Sequence, residues 1–433
     1  MKRYCTDNVM MSAVHVYRKK TFLLATVLFT SFILVLQLSA INNQPDNVSV
    51  KIVVAGYNDN QIDEWFQMRL NEKSRMSDLG RMVFLNEQPQ IVNKPKGDKF
   101  KILVWKYGSK IENRHLKRFS GDKYTNPYSE CSVRNCDISY KDSDINDADI
   151  VIFHMHAMEG TVDLPPNKRN PNQIWAFLTD ESPYHTFLKS HKYKMSDFDG
   201  VFNWSMSYRM DADIPVPYGR TVVETSKELN LDFKKRRDVL IAIMGSNCGG
   251  INGRWDYVKE LSKHIPVHIY GGCGTDFKHT CPGHFREDCH AIDDYMFYLS
   301  FENSNCDEYI TEKLWWNAFE KGAIPIVMGG SDQAYRKLLP PDSYINIADF
   351  ASPKILADYV AFLNRTGDFV SYYRWRKQFR VLNEHGYFKS KSVHYCRICE
   401  ALNYNVRNTS KVLTNMKDWW SVQANCHASW KDS

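Results

Sequence analysis

From Phe100 onward, short and nearly continuous apolar runs alternate with longer stretches whose apolar residues recur at helical spacing. Runs of that kind, rich in β-branched and aromatic residues, predict strands of parallel sheets covered by helices. One set comprises Lys101–Trp105, Ile150–Phe153, Ile174–Leu178 and Val201–Trp204. A second comprises Val239–Met244, Val267–Tyr270, Phe297–Phe301, Ile324–Val327 and Tyr344–Ile347. Between them stands Lys234-Lys235-Arg236-Arg237, which reads as a solvated connector at a domain boundary. The expected architecture is two Rossmann-like α/β halves facing a cleft. Residues 39–98 are polar and mixed, with a helical-spacing patch (Ile62, Phe66, Leu70) and no convincing core, so a stem is expected there.

One stretch breaks this texture. Thr21–Leu38 is eighteen residues without a charge, about 27 Å as a helix and close to the thickness of bilayer hydrocarbon. Arg18, Lys19 and Lys20 abut its N-terminal end, which keeps residues 1–20 cytoplasmic and makes the run a signal-anchor. The competing reading is a cleaved signal peptide with Ser39-Ala40 as a poor processing site; the long segment before the run and the length of the run argue against it. The charge balance agrees with an anchor. Of the net +6, residues 1–20 supply five basic side chains against Asp7, leaving about +2 beyond them. No basic face for nucleic acid is evident.

The anchored topology puts everything beyond residue 40 in an oxidising lumen. Cys5 falls on the other side, and the ten remaining cysteines are an even number. The Cys396-Arg-Ile-Cys399 pair, a metal or redox motif in a cytosolic chain, reads here as structural disulfides involving Cys131 and Cys136, with connectivity open. Four acceptor sequons, at Asn47, Asn203, Asn364 and Asn408, lie on the same side.

The segment richest in chemistry runs from Phe297 to Gly330, FYLSFENSNCDEYITEKLWWNAFEKGAIPIVMGG. A strand ends near Phe301 and a polar loop follows. A helix then begins with Thr311 as N-cap, buries Leu314, Trp315, Ala318 and Phe319, and stops at Gly322. Glu312 and Lys313 thus fall in a first helical turn at the carboxyl edge of a parallel sheet, where a helix end and a cation suit a pyrophosphate and a carboxylate suits a ribose diol. An ordinary first-turn acid and a surface lysine is the equally weighted alternative from spacing alone.

The order FENS…DEYITEKLW…G-x-IPIV resembles the signature segment of the α1,3-fucosyltransferase family, inverting enzymes that use GDP-fucose. Similarity continues through TDESPY (179–184), FNWSMSYRMDADIPVPYG (202–219) and Asn247–Gly272, and covers roughly residues 100–400. The resemblance, to an invertebrate-like member, implies a GT-B fold. It places an acceptor-binding Rossmann-like domain over 99–233, a GDP-fucose-binding one over 234–395, and a cysteine-containing tail over 396–433. By motif, Glu312 would hold the ribose, Lys313 and Arg254 would neutralise the pyrophosphate, and Asn303 and Tyr309 would line the same pocket. A guanidinium suits the phosphate role because it binds oxygens bidentately and stays charged.

An inverting transfer needs a general base opposite the leaving GDP. Glu181 matches the family's catalytic glutamate, and its neighbour Asp180 competes on chemistry alone. His154 and His156 are acceptor-side candidates, though His-Met-His departs from the His-His-Arg of many relatives. Three Asp-x-Asp pairs (142/144, 147/149, 211/213) read as structural, since Arg254, Lys313 and the helix end supply positive charge. No metal is required, and stimulation by Mn²⁺ or Mg²⁺ stays open. The implied substrates are GDP-fucose and a GlcNAc of glycoprotein N-glycans, core or antennal. The implied location is the Golgi membrane, type II, with a homodimer through the stem left open. Two alternatives stand beside this reading: a GT-B transferase using another nucleotide sugar, and an inactive membrane-anchored glycan-binding protein.

Overall fold

The computed structural model describes residues 59–117, 126–129, 131–166, 169–190, 192–224, 235–236, 238–274, 280–282, 287–388 and 390–430. The charge-free run Thr21–Leu38 and the sequon at Asn47 lie outside them. No described helix is long and apolar enough to cross a membrane.

Six strands form the first sheet: β1 (Phe100–Val104), β2 (Cys136–Ser139), β3 (Ile150–His154), β4 (Ile174–Thr179), β5 (Trp204–Ser207) and β6 (Ile214–Pro215). Their order is β2-β1-β3-β4-β5-β6, parallel throughout. β3 and β4 are buried along their whole length, which is why their sequences are apolar at consecutive rather than alternate positions. After β7 (Gly219–Val223) the chain enters a second all-parallel sheet. It contains β8 (Ile241–Met244), β9 (Val267–Tyr270), β10 (Phe297–Phe301), β11 (Ile324–Met328) and β12 (Ile345–Asn346), ordered β12-β11-β10-β8-β9. β13 (Phe379–Asn383) returns to pair antiparallel with β7.

Two parallel sheets were expected, and eight of the nine anticipated strands overlap an observed one at closely matching bounds. The exception is Val201–Trp204. The ladder starts only at Trp204, opposite Ala176, because the side chain of the preceding Asn203 accepts from the Trp175 N–H at 2.8 Å. β2, β6, β7 and β13 are not anticipated. β2 carries Asp137 and Ser139 on a sheet edge, and β7 and β13 reveal themselves only by pairing across the chain. The Lys234–Arg237 run does separate the sheets, but its described part is docked: the Lys235 ammonium donates to the carbonyls of Asp293 and Lys321, and Arg236 pairs with Asp238.

The stem expectation fails for its described part. Helices α1 (Asp59–Leu70) and α2 (Asp78–Leu85, capped by the Ser77 hydroxyl accepting from the Gly80 N–H) pack onto the head. Trp65, Leu79, Val83, Phe84 and Leu85 are core residues. The patch Ile62, Phe66 and Leu70 is only the half-buried rim of that contact, and Trp65 is its anchor. Residues beyond 396 are likewise no tail. Following α3 (Arg254–Leu261) and α4 (Pro353–Thr366), helix α5 (His394–Tyr404) is buried at all eleven positions. It is tied to the first half by Cys131–Cys396 and Cys136–Cys399. The chain then crosses to the second half, where Cys426 bonds Cys306 and the Trp430 indole donates to the Gly253 carbonyl at 3.1 Å. Cys248–Cys273 and Cys281–Cys289 complete five disulfides.

Candidate active site

On the first half, the site gathers at the carboxyl ends of β3 and β4. Asp180, the first residue beyond β4, is fully buried, with its Oδ2 2.9 Å from the Arg114 guanidinium and 3.2 Å from His385 Nε2. Burial by itself would raise its pKa, but the Arg114 charge and the His385 bond hold it well below the carboxylate range. Its backbone carbonyl accepts from the Tyr218 hydroxyl at 2.6 Å. Asp180 is therefore a structural anion. Glu181, the next residue, is half-buried, and its Oε2 accepts from the Tyr309 hydroxyl of the second half at 2.8 Å.

Beneath this turn lies a cluster of imidazoles that the motifs did not foreshadow. His115 stacks on His394 at 3.8 Å between centroids, and His385 stacks on Tyr218 at 3.9 Å. Burial first, then mutual repulsion and Arg114, lowers the pKa values of His115 and His394; burial also lowers that of His385. His154 is buried at the end of β3, its Nδ1 without a hydrogen-bond partner and its pKa lowered by burial to about 3. It is a neutral imidazole at neutral pH. His156 sits 5.9 Å away, ring to ring, and its Nδ1 lies 3.0 Å from the His185 carbonyl oxygen. Of the two acceptor-side candidates, only His156 has appreciable exposure.

On the second half, Lys313 and Glu312 come together as expected, but around a residue the motif reading left without a role. Glu302, just past β10, is buried and accepts from the Thr311 N–H at 2.8 Å, from the Thr311 hydroxyl at 2.9 Å and from the Lys313 ammonium at 3.0 Å. The Lys313 ammonium also lies 3.3 Å from Glu312 Oε1. Burial would lower the Lys313 pKa, but the two carboxylates outweigh it and raise it, so the ammonium stays charged. Burial raises the Glu302 pKa. The only local signal for Glu302 was an acid directly following five buried strand residues.

Two expectations change here. Thr311 occupies the N-cap position, yet its hydroxyl bonds Glu302 rather than the helix. The α-helical part is only Glu312–Leu314 and passes into a π-helical stretch, Trp315–Glu320, so the helix end contributes a smaller dipole than a full helix. Gly322 does terminate it, at φ 66°. Arg254 is placed by the first turn of α3, but its guanidinium is buried and donates to three carbonyls, those of Asn247, Gly249 and Phe301. Here it serves as a loop clamp; contact with a phosphate would require it to exchange those bonds. Asn303 Oδ1 accepts from the Ser304 hydroxyl, which also lies 2.7 Å from Ser182 Oγ of the first half in a buried contact.

Two described groups offer atoms to a metal: His115, Asp180 and His394, and Asp288, His290 and Asp293. The first already has Arg114 on its only carboxylate and two imidazoles stacked face to face, a poor presentation of lone pairs to one ion. In the second, Lys321 bridges Asp288 at 2.8 Å and Asp293 at 2.6 Å. Asp211 is paired with Arg209 and Arg75, and Asp213 accepts from the Ser205 N–H and hydroxyl.

Among the sequons, Asn203 is corrected outright. Its side chain is buried, donating to the carbonyls of Thr409 and Lys411, which leaves no approach for a glycan in the folded chain. Asn364 is half-buried on α4, and Asn408 is exposed in a turn, its Oδ1 accepting from the N–H groups of Ser410 and Lys411.

The family "Glycosyltransferase family 10 (fucosyltransferase) C-term" matches residues 234–419, and "Fucosyltransferase, N-terminal" matches 97–219. A glycoprotein 3-alpha-L-fucosyltransferase A of Drosophila melanogaster is 32% identical over 70% of this chain and 58% of its own length. A 3-galactosyl-N-acetylglucosaminide 4-alpha-L-fucosyltransferase of Bos taurus is 35% identical over 64% of this chain and 74% of its own. A solved α1,3-fucosyltransferase with GDP-fucose aligns at 14% identity and a TM-score of 0.44, over 76% of this chain and 99% of that one.

Proposed function

The chain belongs to the glycosyltransferase family 10 fucosyltransferases, and on that premise we propose that it transfers L-fucose from GDP-fucose to the 3-hydroxyl of a GlcNAc in N-glycans, with inversion. The observation that carries this reading is the pairing of Glu181 with the loop that bears Glu302, Glu312 and Lys313. A carboxylate base stands against a charged edge suited to a nucleoside diphosphate. Glu181 takes the proton of the acceptor hydroxyl as that oxygen attacks C1 of fucose. The bond from C1 to the phosphate oxygen breaks with its electrons leaving on GDP. General-base catalysis of this kind contributes about 10²–10⁴-fold. On the donor side, Lys313 balances the developing diphosphate charge and Glu312 receives the ribose hydroxyls. The cations of this reading are Lys313 and Arg254, the latter after exchanging its carbonyl bonds for phosphate oxygens, with Mn²⁺ or Mg²⁺ as a stimulant rather than a requirement.

The same reading places the head in the Golgi lumen on a type II anchor formed by Thr21–Leu38, with five disulfides suited to an oxidising compartment. Incubating the detergent-solubilised full chain with labelled GDP-fucose and GlcNAc-terminated or trimannosyl glycopeptides tests it, with the linkage located by mass spectrometry. Transfer from another nucleotide sugar but not from GDP-fucose would overturn the donor assignment. Glycan binding without transfer from any donor would overturn the enzymatic one.

A further inference from the structure

Four buried imidazoles meet at the carboxyl ends of β3 and β4, and the proposed reaction uses none of them. They come from separate parts of the chain. His115 lies in the turn Asn113–Lys117, His154 ends β3, His385 follows β13, and His394 opens α5. His115 and His394 stack at 3.8 Å, and His385 meets His394 edge-on at 4.5 Å. The Ser392 hydroxyl lies 2.9 Å from His115 Nδ1 and 3.0 Å from His394 Nδ1. With its single proton it can donate to one ring and accept from the other, an arrangement that needs no charge on either.

The same arrangement has no room for charge. A protonated imidazole carries two N–H groups and needs an acceptor for each. Among the described residues, His154 Nδ1, His385 Nδ1 and His394 Nε2 are buried with no hydrogen-bond partner in the protein. Asp180 is the carboxylate that touches one of the rings, and its contacting oxygen is already shared with Arg114. Glu384, beside His385 in the chain, is taken by Arg220 at 2.8 Å and Arg397 at 3.0 Å. The remaining groups that face the cluster are Lys110, His156 and Glu312, with the phenols of Tyr218 and Tyr387. We infer that this cluster is an acid-released latch: when its imidazoles take up protons, His385 and the start of α5 come away from Arg114, His115 and Asp180, and neutralisation closes them again.

Two features make the release local and reversible. Cys131–Cys396 and Cys136–Cys399 tie α5 to the first half just beyond His394, so the parted surfaces stay together. None of the four rings belongs to the second sheet, which has its own apolar core. The sign is fixed by burial, which is the first cause holding all four rings below their ordinary pKa of 6.5. The closed form is therefore favoured above pH 6.5 and loses ground as pH falls below it. Each ring that is neutral when closed and free when open favours opening about tenfold at pH 5.5, so four together give about 10⁴-fold. One buried histidine would lack that steepness.

Hydrogen exchange read by mass spectrometry tests the latch in the detergent-solubilised full chain at pH 8.0 and 5.5, with rates corrected for intrinsic exchange. The opening constants of peptides containing His115 and His394 should rise about 10⁴-fold at the lower pH. Those of β8, β10 and β11 should change less than about tenfold, and protection should return at pH 8.0. His394→Phe keeps a ring stacked on His115 and should cut the rise about tenfold; His115→Phe in addition should cut it about a hundredfold. His290→Gln, which removes an exposed ring, should leave the rise unchanged. A wild-type rise of tenfold or less would overturn the inference, and so would an equal rise in the second sheet, the mark of global unfolding. These two comparisons need no variant to fold. Asp180 directly precedes Glu181, so turnover should fall in step with opening and return on neutralisation. Protein that opens in this way but never transfers fucose would sink the proposed function and leave the latch standing.

Discussion

The two edges that meet where Glu181 touches Tyr309 are built alike, each from the carboxyl ends of parallel strands, yet they settle their charges by different means. On the proposed donor edge, Glu302, Thr311, Glu312 and Lys313 come from a stretch of twelve consecutive positions, with one ammonium shared between two carboxylates. On the acceptor edge, Arg114, His154, Asp180, His385 and His394 converge from distant parts of the chain around a single ion pair and otherwise neutral imidazoles. The first arrangement keeps ionic groups where a phosphate can exchange partners with them. The second is a buried frame around Asp180, the residue next to Glu181 in the chain.

The sharpest way to break this contrast is Glu181→Gln. It should lower transfer by about 10²–10⁴-fold while GDP binding by calorimetry stays intact; near-normal turnover would remove the base from the acceptor edge. Next come the two cations. Lys313→Met strands Glu302 beside Glu312, and Arg114→Met strands Asp180. Each should cost roughly 3–5 kcal/mol in denaturant unfolding, the usual penalty for breaking a buried pair. Only Lys313→Met should also weaken GDP binding, and an equal loss of GDP affinity in Arg114→Met would erase the distinction between the edges.

A smaller effect follows from His154, whose folded pKa is lowered to about 3. The unfolded chain takes up that proton near pH 6.5 and the native one does not, so stability is present above about 6.5 and is lost as pH falls toward 3. Between pH 6.5 and 5 this single group should remove about 2 kcal/mol. His154→Gln should flatten that part of the stability curve. Smallest of all is Asn203→Gln, which should leave the glycosylation pattern on gels unchanged, whereas Asn408→Gln should remove one glycan if that exposed site is used.

How legible the molecule was in its sequence follows the same divide. Strands buried on both faces betray themselves locally, as Ile150–Phe153 and Ile174–Leu178 do, and so do Glu312 and Lys313, because their partners are sequence neighbours. Glu302 was visible and unread: an acid after five apolar strand residues looks like the start of a loop until the Lys313 ammonium is found upon it. The frame around Asp180 has no local signature. Nothing near Arg114 or His394 indicates that they meet, and the antiparallel pairing of β7 with β13, which helps bring His385 to Asp180, joins residues more than a hundred and fifty positions apart. Asn203 shows the opposite failure, in which a local pattern, Asn-x-Ser, was complete but its side chain is part of the fold.

Helix α1 has a practical meaning for anyone trimming this protein. The Trp65 indole donates to the Leu339 carbonyl at 2.7 Å, and the Arg69 guanidinium donates to the carbonyls of Lys337 and Leu338 on the second half, of Thr221 on β7 and of Phe84 on the neighbouring α2. What resembles a dispensable spacer is a strap buckled across both lobes. A truncation made where the strand pattern begins, near residue 99, would shed the strap and open a buried contact between the lobes, which the disulfides would still tether; the cut has to fall before residue 59.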